Sequence, residues 1–223
     1  MEKIVFLDNA FWKEDKDFIE LINSKILPRI KWAMDNEEHI PVHFNYKRLP
    51  PKDNSYKERC SEDVLVQKIK ESKLERKGWT VNNLKRHKVA QYGKVVDTMN
   101  WQLANISEKI KNEPSFFSDF FYKYFKRVIV RNKVLWYKPG SYMGWHTNAE
   151  GYEAYRFYIV WCDEDNKSFF RVRDPETGEI ITRWEKKGWN FNYFKLGNKE
   201  KPTWHCLYSD CNRFSVGFRL ENE

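Results

Sequence analysis

The sequence predicts an α+β protein whose helices come first and whose strands come last. Up to about residue 126, apolar residues recur at helical spacing. From Arg127 onward they fall in short β-type runs separated by turn residues. Aromatic residues make up 17% of the chain, which suits a compact β core with bulky packing.

Phe18, Ile19, Ile22 and Ile26 share one face of a helix that starts near Asp15, and Pro28 ends its clean stretch. Residues 38–60 carry Pro41, Pro50 and Pro51 among polar residues and read as a long irregular loop on the substrate side. A short helix follows over 63–75 with Val64, Leu65 and Ile69 inward, and another over 98–112 with Met99, Leu103, Ile106 and Ile110 on one face. Ser115 then caps a helix whose stripe is Phe116, Phe117, Phe120, Phe121 and Tyr124, a face built to pack on a sheet.

In the β half, 128–130 and 134–137 read as two short runs around an Arg-Asn-Lys turn. Further strands are expected at 155–162, 168–173, 179–184, 189–195, 204–208 and 213–220. Asp174-Pro175-Glu176-Thr177-Gly178-Glu179 is a hairpin connection, with Pro presetting φ and Gly supplying φ > 0. Many short strands at this spacing imply a sandwich, barrel or jelly roll. The expected organisation is a single domain over 1–223, mainly helical over 1–126 and a β core over 127–223, because no linker, repeat or low-complexity run interrupts it.

The net charge of +8, with a pI near 9.1, is compatible with a polyanionic partner, but acids and bases are interleaved as on a solvated surface. The start of the chain lacks the apolar stretch of a signal peptide, and no segment has the length of a membrane span, so a cytoplasmic protein with no membrane partner is expected. Cys60, Cys162, Cys206 and Cys211 show no Cys-x-x-Cys spacing and are expected to be free thiols.

Of the five histidines, His39, His43 and His87 lie in loop or basic contexts. His146 and His205 each fall at a strand end directly after a tryptophan, Trp145 and Trp204. In Arg213-Phe-Ser-Val-Gly-Phe-Arg219, alternation places Arg213, Ser215, Gly217 and Arg219 on one face and the apolar residues on the other, as an anion pocket would need.

From Trp136 the chain reads Trp-Tyr-Lys-Pro-Gly-Ser-Tyr-Met-Gly-Trp-His-Thr-Asn. Over about residues 134–220 this resembles the 2-oxoglutarate- and Fe(II)-dependent oxygenases, the prolyl-4-hydroxylase-like branch above all. Tyr137 and Gly140 match the family's Tyr-x-x-Gly strand, His146 and Asn148 occupy its His-x-Asp positions, and His205 matches its distal His. Gly188 and Phe194 match the elements that precede that His, and Arg213 matches the basic residue after it.

The resemblance implies a double-stranded β-helix (jelly-roll) core and a metal held by His146, Asn148 and His205. Its cofactors are Fe(II), 2-oxoglutarate as cosubstrate, and O₂. Two histidines and one carboxylate on one face leave open positions on the iron for cosubstrate and O₂. Arg213 and Tyr137 are then expected at the distal carboxylate of 2-oxoglutarate, with Arg219 and Arg156 as further anion contacts. Trp145, Tyr158 and Trp204 are expected on the substrate side.

The sequence departs from the pattern at Asn148, where the family has an acid. The third position is open between the Asn148 oxygen, water and a nearby acid such as Glu150, and a site that has lost its chemistry is a further alternative. The implied activity is hydroxylation of a C–H bond in a macromolecule, a protein side chain in the first instance, with decarboxylation of 2-oxoglutarate to succinate. The alternatives are a nucleobase-modifying member of the same superfamily and a non-catalytic jelly-roll module that binds nucleic acid or another polyanion. A cupin-type metal protein is less favoured because no His-x-His pair is present.

Overall fold

A computed structural model describes residues 15–37, 58–76, 91–92, 116–148, 154–198 and 200–222. The expected helix over 98–112, most of the expected loop over 38–60, Ser115 and His39, His43 and His87 lie outside them.

Helix α1 (Lys16–Lys25) is capped by Asp15, whose carboxylate accepts the Phe18 N–H at 2.9 Å. Pro28 lies just past the end of this helix, as expected. It sits in the first turn of a second helix, α2 (Leu27–Asp35), where its missing N–H has no intrahelical partner to lose. A short 3₁₀ turn (Glu58–Cys60) precedes α3 (Glu62–Arg76), and α4 spans Phe116–Phe125.

The strands are β1 (Gln91–Tyr92), β2 (Val128–Tyr137), β3 (Ser141–His146), β4 (Tyr155–Cys162), β5 (Ser168–Arg173), β6 (Ile180–Trp184), β7 (Gly188–Lys195), β8 (His205–Ser209) and β9 (Arg213–Glu221). They form a five-stranded sheet in the order β1-β3-β8-β5-β6 and a four-stranded sheet in the order β2-β9-β4-β7, with antiparallel neighbours throughout. From β2 to β9 the chain passes back and forth between the sheets, with the β5–β6 hairpin at the far edge. This winding is that of a double-stranded β-helix, and the protein is an α+β jelly roll.

The hairpin forms as its residues dictate. Asp174 Oδ1 accepts the N–H groups of Glu176 and Thr177 at 2.7 and 3.2 Å, and Gly178 adopts φ +79°. Strand β2 differs from expectation. Residues 128–137 form a single strand, because Arg131, Asn132 and Lys133 continue the ladder with Arg219, Phe218 and Gly217. A bulge between Ile129 and Arg131 takes up one residue. Pairing along the whole length of β9 outweighs the local turn signal.

Helices cover both outer faces. Phe18, Ile22 and Ile30 join Phe117, Phe120 and Phe121 over Phe157, Phe191 and Phe218 of the four-stranded sheet. The rings interlock: Phe18 stacks on Phe120 at 4.2 Å, and Phe121 lies 5.0 Å from both Phe157 and Phe218. Full burial of such a ring is worth about 2–3 kcal/mol. Leu65 of α3 and Cys60 pack with Tyr142, Trp145 and Tyr208 on the five-stranded sheet. The four cysteines are free thiols and buried.

Candidate metal and anion site

A cavity of about 200 Å³ lies between the sheets. It is lined by Leu135 and Tyr137 of β2, Met143 and His146 of β3, Arg156 and Tyr158 of β4, and Phe170 of β5. Asn148, His205 with Cys206 and Leu207 of β8, and Arg213, Ser215 and Gly217 of β9 complete the lining.

The expected β9 alternation is met at the cavity. Arg213, Ser215 and Gly217 face it, while Phe214, Val216 and Phe218 enter the core under the helices. Strand β3 breaks this rule. Its register with β8 runs Met143↔Leu207 and then His146↔His205, so Gly144 and Trp145 stand opposite Cys206 alone. This bulge puts Met143 and His146, three positions apart, on the same cavity face. It also turns Trp145 outward, which corrects the expectation of a substrate-side indole. Trp145 is buried beneath the 3₁₀ turn and α3, and its Nε1–H donates to Ser61 O at 2.8 Å. Trp204 belongs to the same outer cluster and does not line the cavity, whereas Tyr158 does.

His146 and His205 are partners across the ladder, with ring centroids 4.2 Å apart. Each Nδ1 is tied to a backbone carbonyl, Gly144 O at 2.9 Å and Thr203 O at 3.1 Å, which fixes the tautomer and leaves each Nε2 with its lone pair. Burial depresses both basicities. His146 falls to about 4, with Lys68 and Arg156 adding to the effect, and His205 falls well below the usual value through burial and the neighbouring His146. Both imidazoles are therefore neutral at physiological pH.

Asn148 Nδ2 lies 3.0 Å from His205 Nε2, so the amide is a third polar group at the same point. A turn about its last bond exchanges Nδ2 for Oδ1, which would then aim an acceptor where the donor now sits. Glu150 lies outside the described residues. Among the described residues, no group of three His, Cys, Asp or Glu side chains is placed to hold a metal. The residues fit a divalent first-row ion held by two neutral imidazoles and completed by a neutral oxygen.

Strand β8 ends at Ser209, and a short turn leads to Arg213 at the start of β9. Four residues of strand, about 13 Å, separate His205 from that end of the cavity. There Arg213 is buried and held by a carboxylate that the sequence reading missed. Glu185, in the turn between β6 and β7, accepts Arg213 Nε at 2.7 Å and Nη2 at 2.8 Å. Glu185 also accepts Ser168 Oγ–H at 2.6 Å and Asn192 Nδ2–H at 3.4 Å. Burial pushes its carboxyl up, but the Arg213 charge and these hydrogen bonds outweigh burial and hold it below the usual carboxylate range.

The Tyr137 ring lies 5.4 Å from the Arg213 guanidinium carbon. Burial raises the Tyr137 hydroxyl pKa, so it is a neutral donor. Among the described residues, Arg213 Nη1 is buried without a hydrogen-bond partner, and so is Arg156 Nε. Arg219 does not line the cavity and donates to Glu221 at 2.8 Å, which corrects its expected role at the cosubstrate.

No protein-family profile matches the chain, and no curated protein matches it. Among solved structures it is similar to a Pseudomonas putida prolyl-4-hydroxylase, with 11% identity over 87% of this chain and 99% of that one and a TM-score of 0.37. It is also similar to the viral collagen prolyl hydroxylase of Paramecium Bursaria Chlorella virus-1, with 14% identity over 67% and 89% and a TM-score of 0.33. A third similarity is to the capsular polysaccharide assembling protein CapF of Staphylococcus aureus, with 17% identity over 40% of this chain and a TM-score of 0.28. The chain spans 22% of CapF. Among the described residues no helix is long and apolar enough to cross a membrane.

Proposed function

We propose that this protein is a 2-oxoglutarate- and Fe(II)-dependent dioxygenase that hydroxylates a C–H bond of a macromolecular substrate, a protein side chain in the first instance. The observation that carries this reading is the pairing of two neutral, carbonyl-anchored imidazoles on a cavity that also holds a buried arginine. His146 and His205 would hold the iron through Nε2, and Asn148 would offer its oxygen in a rotated amide. When bound, Fe(II) with 2-oxoglutarate supplies the oxidation: O₂ is consumed, the cosubstrate loses CO₂ to become succinate, and one oxygen atom enters the C–H bond. Arg213 Nη1, the Tyr137 hydroxyl and Ser215 would grip the distal carboxylate. Leu135, Met143, Phe170 and Leu207 line the space between with apolar surface. The test is release of succinate and CO₂ from 2-oxoglutarate with Fe(II) and ascorbate. No turnover, combined with no shift in melting temperature on adding 2-oxoglutarate and Mn(II), rules the reading out.

A second reading, a non-catalytic module for nucleic acid or another polyanion, is favoured by the amide at position 148 and by the net charge of +8. It predicts salt-dependent polyanion binding that survives His146→Ala and His205→Ala.

A further inference from the structure

Glu185 belongs to neither the metal ligands nor the anion contacts expected from the sequence, yet it is fully buried and its carboxylate is saturated. It receives two hydrogen bonds from Arg213 at 2.7 and 2.8 Å, one from Ser168 at 2.6 Å and one from Asn192 at 3.4 Å. These partners lie on β9, β5 and β7, strands from both sheets. A guanidinium has five N–H donors in a rigid fork. Glu185 takes the Nε–Nη2 edge, the Tyr137 ring lies against Arg213, and the group left without a hydrogen-bond partner among the described residues is Nη1 of a residue that lines the cavity.

We infer that Glu185 is a positioning residue: it locks the Arg213 guanidinium so that one nitrogen, Nη1, is presented to a carboxylate in the cavity. This rests on the proposed use of 2-oxoglutarate. It changes what kind of grip that ligand meets. The two-point fork of an arginine is already occupied by the protein's own carboxylate. A ligand carboxylate therefore meets Nη1 singly and must find its remaining donors in Tyr137 and Ser215. Selection for a ligand with a distal carboxylate then depends on Glu185, a residue that never touches the ligand.

The test compares the wild-type protein with Glu185→Gln, using Mn(II) in place of iron so that no oxidation occurs. Calorimetry measures binding of 2-oxoglutarate and of 2-oxobutyrate, which keeps the 2-oxo acid head and lacks the distal carboxylate. The expected result is a loss of about tenfold or more in affinity for 2-oxoglutarate, with 2-oxobutyrate unchanged, the tenfold corresponding to about 1.4 kcal/mol. Equal loss for both ligands, or loss for neither, overturns the inference. Ser168→Ala removes one support of Glu185 and leaves the ion pair in place. It covers the case in which Glu185→Gln does not fold, with a smaller loss in the same direction expected and equal effects on both ligands counting against the inference.

A ligand-free readout separates this inference from the functional reading. The Arg213 Nε–H NMR signal, assigned by its disappearance in Arg213→Lys, should be protected from exchange in the wild type and lose that protection in Glu185→Gln, or in part in Ser168→Ala. An unprotected wild-type signal, or protection that survives these changes, refutes the clamp. Failure of the wild type to bind 2-oxoglutarate refutes the proposed cosubstrate instead.

Discussion

Replacing Arg213 by methionine tests the energetics of the cavity's inner end. Glu185 would keep Ser168 and Asn192 but lose the two hydrogen bonds it receives from Arg213 at 2.7 and 2.8 Å. Hydrogen bonds to charged groups contribute roughly 1.5–3 kcal/mol each. Some of this is offset because methionine packs well and the stranded carboxyl can take up a proton. The expected cost at neutral pH is therefore about 3–5 kcal/mol, the range for breaking a buried ion pair from one side.

The pH dependence has a definite sign. In the wild type the folded pKa of Glu185 is depressed below its ordinary value of 4.5, so its contribution is complete above that value and fades as pH falls through the folded pKa. In Arg213→Met burial acts on the carboxyl without its cation and raises the folded pKa. The variant then recovers relative stability as the group protonates. The stability gap should be widest near neutrality and shrink steadily as pH falls from the variant's raised pKa toward the wild type's depressed one. Urea unfolding of both proteins from pH 7 to pH 4 measures it. A gap under about 1 kcal/mol, or one that does not change with pH, would refute the assignment of Glu185 and Arg213 as a tightly coupled pair. The double variant Glu185→Leu/Arg213→Met should recover most of the loss, because no orphan charge is left.

Other outcomes follow from the same structure. His146→Ala and His205→Ala should each weaken Co(II) or Mn(II) binding by more than about 100-fold, beyond the loss that follows removal of a ligand's supporting partner. Asn148→Asp should tighten Co(II) binding by about tenfold or more, since a carboxylate 4 Å from a dication gains about 2 kcal/mol even at the dielectric of water. An unchanged titration curve would place residue 148 away from the metal. Phe121→Ala should cost about 3–5 kcal/mol by chemical denaturation, because that ring joins α4 to Phe157 and Phe218. Gly197→Ala should destabilise by at least about 2 kcal/mol, from a left-handed backbone at φ +69° and a Cβ that would stand 2.2 Å from Lys201 O. It should also loosen metal binding, because that loop holds Thr203, whose carbonyl orients His205.

Much of the β core was legible because its strands alternate cleanly and its turns carry the residues their geometry demands. The β9 face was read correctly for Ser215 and Gly217 because period-two alternation holds there. Two things were beyond reach of local pattern. Strand β2 contains Arg131-Asn132-Lys133, polar enough to look like a turn, and only its partner strand keeps it extended. Glu185 sits in Glu-Lys-Lys-Gly, which reads as a solvated turn. Nothing within several residues marks it as buried, since its cation lies 28 positions away. Arg219 shares the parity of Arg213, but parity gives the face of a strand and not how far a cavity extends along it.

The bulge in β3 has a consequence for change by insertion and deletion. His146 and His205 meet because two residues of one strand stand against one of the other. Deleting Gly144 would close the bulge and leave plain alternation, with His146 still on the cavity face opposite His205 and Trp145 still outside; what it would take away is the Gly144 carbonyl that anchors His146 Nδ1. A register slip that closed the bulge with every residue kept would instead set Trp145 opposite His205 and turn His146 toward the helix-covered side.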